Sequence, residues 1–277
     1  MRDITFKYSD KKSLPLYYKQ AKEFTNTAVL CIHGVTSEMD AWDTASTIIS
    51  EKANVDCYMP ILRGYDDAPV GDLKKKGQFD SDIHDLLTYL YNRYTNVIAI
   101  GHSMGSGNLL RYLSTYNDTR LKHTIFTAPF FHPALNTFYK EEEQDRPEDM
   151  TYTVYYNKVM AIGILDRLKL PLFHTTTVVE IPHRKVPYDV NSKTSVKKLS
   201  FRLMISRFIE NPAKIPSVPL DHSTVLVGRF DQIVHPELLT TYWTSSVGRD
   251  VTIAEGADHN SILSSKELLE TVKKYAG

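Results

Sequence analysis

Three residues far apart in the chain have the types that acyl transfer needs: a serine at 103, an aspartate at 231 and a histidine at 259. An unassisted serine hydroxyl stays protonated at neutral pH. It attacks a carbonyl only with a base in hydrogen-bond reach and a carboxylate that fixes the base's tautomer. Ser103 lies in Gly101-His-Ser-Met-Gly105, after the apolar run Val97, Ile98, Ala99, Ile100 and before a helical pattern of Met104, Leu109, Leu110, Tyr112 and Leu113. A strand, a tight turn and a helix in that order lift the serine out of the core onto a bend at the end of a sheet. The flanking glycines leave room for the crowded backbone there.

The partners are sought at strand ends, because a parallel sheet binds its ligand beyond the carboxyl ends of its strands. The run STVLVGRFD reads as a strand ending in Gly228-Arg-Phe-Asp231, and VTIAEGAD reads as another, followed by His259 just before the final helix. Asp231 and His259 are therefore predicted at the same rim as Ser103. Two nearby aspartates compete less well: Asp221 precedes its strand, and Asp258 adjoins the base in the chain, where loop neighbours seldom face each other. The tetrahedral intermediate also needs aimed N–H donors, and Met104, in the first turn of its helix, supplies one.

The elements that must position these groups alternate along the chain. ITFKYS and LPLYYKQ read as a hairpin; strands follow at 27–33, 55–62, 96–101, 122–129, 223–231 and 251–258, with helices at about 38–52, 78–94 and 104 onward, from Pro236, and at 262–275. Such alternation indicates parallel βαβ crossovers, hence an α/β fold with a mostly parallel central sheet flanked by helices. The core domain is assigned to residues 1–129 and 222–277. Residues 130–221 break the rhythm and are predicted to form a helical lid inserted between two sheet strands. That stretch is aromatic (Phe130, Phe131, Phe138, Tyr139, Tyr152, Tyr155, Tyr156, Phe173), with acidic residues Glu141, Glu142, Glu143 and Asp145 and basic residues Lys193, Lys197, Lys198 and Arg202. The charged clusters read as solvated faces.

Composition narrows the remaining possibilities. A chain of 277 residues with formal net charge zero has no electrostatic footprint for nucleic acid or an anionic membrane surface. No run approaches the length of a membrane span and no signal-peptide core is present, so a cytoplasmic protein acting on a small molecule is expected. Cys31 and Cys57 sit in apolar strand-like runs and read as buried free thiols. The oligomeric state has no sequence signal here, and the chemistry above requires neither metal nor organic cofactor.

The chain resembles the α/β-hydrolase superfamily and, within it, the lid-bearing monoacylglycerol lipase, lysophospholipase and carboxylesterase group. The resemblance rests on His33-Gly34, Arg63-Gly64, Gly101-His-Ser-Met-Gly105, Gly228-Arg-Phe-Asp231 and Asp258-His259, in the expected order over nearly the whole chain. It implies Ser103 as nucleophile, His259 as general base and acid, Asp231 as orienting carboxylate, and Val35, after His-Gly, as the second oxyanion-hole N–H beside Met104. Two positions depart from the pattern. Ser106 stands where a further glycine is usual, and Arg63-Gly-Tyr-Asp-Asp lacks the usual second glycine and serine. His33 and His102 are expected to be structural. The expected activity is cleavage of an acyl or aromatic carboxylic ester. Thioesterase, amidase, aminopeptidase and C–C hydrolase chemistry use the same triad, and a non-catalytic binding protein on this fold is the reading from another class.

Overall fold

The computed structural model describes residues 2–35, 39–65, 72–140, 152–184 and 194–277. The hairpin is β1 (Arg2–Lys7) and β2 (Ser13–Lys19), followed by β3 (Thr27–Ile32), α1 (Met39–Ala53), β4 (Asp56–Pro60), α2 (Gln78–Tyr91), β5 (Asn96–His102), α3 (Met104–Tyr116) and β6 (His123–Thr127). After the insertion come β10 (Ser223–Gly228), α6 (Pro236–Tyr242), β11 (Val251–Ala254) and α7 (Lys266–Ala276). One eight-stranded sheet runs β1-β2-β4-β3-β5-β6-β10-β11; β1/β2 and β2/β4 pair antiparallel and the other neighbours are parallel.

Strand alternation decides which side each residue fills. In β3, Ala28, Leu30 and Ile32 join the core that includes Leu86 and Leu87 of α2 and Leu109 and Leu110 of α3, while Val29 and Cys31 face Trp42 and Ile49 of α1 and Leu268 and Val272 of α7. Helices on both faces bury every residue of β3, so the strand reads as an unbroken apolar run. Cys31 and Cys57 are buried free thiols in the adjacent strands β3 and β4, and burial pushes the Cys31 thiol up. No helix among the described residues is long and apolar enough to cross a membrane.

The chain runs from β3 to β4 on one side, then returns to place β5 on the other side of β3. This reversal opens a crevice at the carboxyl ends of β3 and β5, where a ligand can enter without a crossover covering it.

The insertion between β6 and β10 is only partly helical. It contains α4 (Tyr156–Arg167) and α5 (Phe201–Ile205) together with a three-stranded antiparallel sheet of β7 (Thr153–Val154), β8 (Thr177–Arg184) and β9 (Thr194–Ser200). Buried Val178, Val179 and Leu199 sit among charged neighbours such as Lys198 and Glu180, so a basic cluster in the sequence hides a strand pattern. Lys198 lies exposed across from Glu180, whereas Arg202 donates to the carbonyls of Leu73 and Lys74. Of the aromatic residues, Phe131 is buried and stacks on Trp243, and Phe130 stacks on Phe138, while Tyr156 and Phe173 are exposed. Glu141, Glu142, Glu143, Asp145, Lys193, and Asp66 and Asp67 of the Arg63 motif lie outside the described residues, as does Glu38, named as the first residue of the first helix. The final helix begins later than the pattern predicts, because residues 261–264 form a 3₁₀ turn and the Ser265 side chain caps α7 by accepting from Leu268 N–H.

Arg63, in the loop after β4, is buried and held by two carboxylates: Nε donates to Asp82 of α2 at 2.6 Å, and Nη2 donates to Asp10 of the hairpin turn at 2.9 Å. This pair ties the antiparallel edge of the sheet to the helical layer. Removing one member of a buried pair leaves the other charge uncompensated. Arg63→Ala is expected to cost about 3–5 kcal/mol in urea unfolding, and Arg63→Met combined with Asp82→Leu to recover much of it; a loss below about 1 kcal/mol in the single variant would contradict this role.

Candidate active site

Ser103 sits between β5 and α3 with φ 52° and ψ −118°, backbone torsions that a side-chain-bearing residue rarely adopts. The strain of about 1–3 kcal/mol is one that only a fixed surround can hold. Here the Ser103 N–H donates to the Thr127 carbonyl at 3.0 Å, while the Ser103 carbonyl accepts from the N–H groups of Ser106 and Phe130. Both motif glycines have a steric reason. A Cβ on Gly105 would stand 2.1 Å from the Ile32 carbonyl oxygen, and one on Gly101 would stand 2.6 Å from that of Gly105. Ser106, the departure from the family pattern, is fully buried and donates its hydroxyl to the Gly101 carbonyl at 2.7 Å. It therefore braces the turn that a glycine would merely permit.

Asp231 follows β10 and His259 follows β11, as the strand-end rule predicts. His259 Nδ1 lies 2.9 and 3.0 Å from the two Asp231 carboxylate oxygens. A carboxylate only accepts, so Nδ1 carries the proton, and in the neutral ring it is Nε2 that presents the lone pair. Asp231 Oδ1 also accepts from the N–H groups of Ile233 and Val234, each at 2.8 Å, which fixes the carboxylate within a buried loop. The two rival aspartates are engaged elsewhere: Asp221 pairs with Arg249, and Asp258 caps its own turn by accepting from Asn260 and Ser261.

His102 links the two halves of the cluster. Its Nε2–H donates to the His259 carbonyl at 2.7 Å, and its ring lies 5.1 Å from the His259 ring. The residue before the serine thus anchors the loop of the histidine. Ser103 and the Asp231–His259 pair come to one rim of the sheet, and among the described residues no hydrogen bond joins Ser103 Oγ to His259.

The loop after β3 forms the other wall. His33 donates Nδ1–H to the Gly34 carbonyl at 2.6 Å and accepts the Leu62 N–H on Nε2 at 3.0 Å, so it is neutral and structural. A Cβ on Gly34 would meet the Ser103 Cβ at 3.1 Å, so the loop carrying Val35 lies against the serine. Met104 opens α3, where first-turn N–H groups have no intrahelical acceptor. Its thioether accepts from Arg207 Nη1 at 2.6 Å. Arg207 has no place among the residues predicted for the site. Its only mark in the sequence is a lone charge within the otherwise apolar or neutral stretch from Leu203 to Ile209.

Burial, above all other causes, holds His33 at about 4, His102 at about 3 and His123 at about 4. Below about pH 6.5 the unfolded chain binds protons that these folded side chains refuse, so their stabilising contribution is complete above that pH and is lost as pH falls toward 4. Burial acts oppositely on Asp80, raised to about 6, and on Asp82, also raised, so each offsets at most one histidine in this window. Urea unfolding is therefore expected to lose about 1.4 kcal/mol or more per pH unit near pH 5; a flat profile between pH 7 and 5 would contradict the buried neutral histidines.

A family model described as the alpha/beta hydrolase family matches residues 29–271. Among curated proteins, a Synechocystis sp. protein provisionally named a non-heme chloroperoxidase is 24% identical over 165 residues, covering 57% of this chain and 54% of its own length. The match thus spans about half of that relative. Among solved structures, the esterase EaEST from Exiguobacterium antarcticum superposes with TM-score 0.62 at 16% identity, covering 99% of each chain. A bromoperoxidase from Bacillus anthracis gives 0.62 at 17% identity over 99% of each chain. A monoacylglycerol lipase from Paleococcus ferrophilus gives 0.61 at 17% identity over 94% of this chain and 99% of that one. Identities this low speak to fold, and the activities named differ among themselves. With the strand-turn-helix at Ser103, the strand-end loops carrying Asp231 and His259, and a family model running through all three, the chain belongs to the alpha/beta hydrolase family.

Proposed function

We propose that the protein is a serine hydrolase that cleaves carboxylic esters through an acyl-enzyme on Ser103. The observation that carries this reading is the His259–Asp231 pair, which engages Nδ1 and so reserves Nε2 of the neutral ring for Ser103, on the rim where the strained turn lifts it. In the first half-reaction Ser103 Oγ attacks the ester carbonyl while His259 Nε2 takes its proton. The oxyanion is met by the N–H groups of Met104 and Val35, and its collapse expels the alcohol, which receives the proton from His259. Water then attacks the acyl group by the same proton route, releasing the acid and restoring the serine. The Oγ–Nε2 hydrogen bond that this step requires is of the kind that forms once substrate is seated.

Residues 130–221 act in this reading as a lid. Three contacts support it: Leu203 presses on Gly64, Arg207 on Met104, and Arg111 of α3 donates to the Phe208 carbonyl at 2.8 Å. Such cover keeps bulk water from the acyl-enzyme and strengthens the electrostatics of the site.

A fluorophosphonate probe is expected to label the wild type and not Ser103→Ala, and 4-nitrophenyl ester turnover to fall by roughly 10⁴ or more in that variant and by a similar order in Asp231→Asn. Unchanged hydrolysis in Ser103→Ala would overturn the assignment. Absence of both labelling and turnover in the wild type would favour a binding protein instead.

A further inference from the structure

The buried arginines of this protein are not alike. Arg63 is held by Asp82 and Asp10, and Arg111 by Asp80. Arg207, just beyond α5, is fully buried, yet among the described residues its Nε and Nη2 have no hydrogen-bond partner and no carboxylate pairs with it. Its remaining contacts are Nη1 on the Met104 sulfur at 2.6 Å and the guanidinium carbon 4.9 Å from the centre of the Tyr65 ring. Burial pulls its pKa down to about 9, the signature of a cation enclosed without a counter-charge, yet it remains protonated at neutral pH.

Leaving a guanidinium dry and unpaired is among the costlier arrangements a fold can hold, so the position calls for a compensating group. The free edge has a specific shape. Nε–H and Nη2–H are the parallel donors of one side of the guanidinium, the geometry that grips both oxygens of a carboxylate. The guanidinium that carries this edge also borders the site. Met104 follows the nucleophile directly, and Tyr65 packs edge-on to His33, 5.0 Å away, whose loop leads to Val35. We propose that Arg207 is a specificity residue that receives an ionised carboxylate of the substrate, so that the preferred substrates are esters bearing a second, free carboxylate. The inference rests on the ester-hydrolase reading for its chemistry, and on the orphaned guanidinium alone for its ligand.

The kinetic test compares matched esters: 4-nitrophenyl hemiglutarate, with a carboxylate on the acyl side, against neutral 4-nitrophenyl valerate. A second arm uses the butyryl ester of glycolic acid against butyryl methyl ester, with the carboxylate on the alcohol side. A preference of about tenfold to a hundredfold in kcat/KM for the charged member of one pair is expected, carried mainly by KM. Arg207→Gln should erase the preference and Arg207→Lys retain part of it. The pair that shows the effect tells which half of the ester carries the anion. Binding is read separately by thermal unfolding of Ser103→Ala. Glutarate should raise its Tm, and should not do so in Ser103→Ala/Arg207→Gln or, where that variant does not fold, should do so less in Ser103→Ala/Arg207→Lys. Equal kcat/KM within both pairs, or an equal glutarate effect with and without Arg207, would overturn the proposal. Failure of the hydrolase reading shows differently: the wild type would neither turn over an ester nor take up the fluorophosphonate, while the glutarate-dependent Tm would still report on Arg207.

Discussion

The left-handed backbone at Ser103 is the constraint to which its surroundings answer. A non-glycine residue holds φ 52° only if its neighbours leave no alternative, and three different segments supply that enclosure. The end of β3 presses against Gly105, the end of β6 accepts the Ser103 N–H through Thr127, and Phe130, at the start of the insertion, donates back to the Ser103 carbonyl. The parallel sheet makes this possible, since only strands running in the same direction deliver their carboxyl ends to one rim. His102 then extends the same turn to the loop of the histidine, so the placement of His259 depends on the geometry of the Ser103 turn.

Much of this arrangement is legible in the sequence because it is local or follows the strand-end rule. The run before Ser103 announces a strand buried on both faces, Gly101 and Gly105 mark the crowded bend, and Asp231 and His259 fall directly after two further strands. Ser106 shows the limit of such reading. Its small size predicts close approach of helix and strand, but the hydroxyl bond to Gly101 that makes it an active brace appears only in three dimensions.

The insertion is less legible for a physical reason. Its strand β8 pairs with β7 and β9, not with the main sheet, and charged residues such as Glu180 and Lys198 alternate with the apolar ones, so their pattern resembles a solvated surface. Arg207 is the sharpest case. In the chain it is one cation after a short helix, indistinguishable from Arg202 five positions earlier; its burial against Met104 and Tyr65 depends on how a distant segment folds back over the sheet. No periodicity within the insertion encodes that contact.

The pairing of β6 with β10, in which Thr124 meets Ser223, joins strands that are neighbours in space and separated in the chain by the whole insertion. Ile32 and Thr127, which fix the serine turn, lie before the insertion and Phe130 is its first residue, whereas Asp231 and His259 lie after it. Closing so long a loop is an entropically expensive, slow event in folding. Without β10, β6 would have β5 as its one neighbour in the sheet, and its other flank would be an open row of backbone donors and acceptors, the kind of edge that pairs with foreign chains.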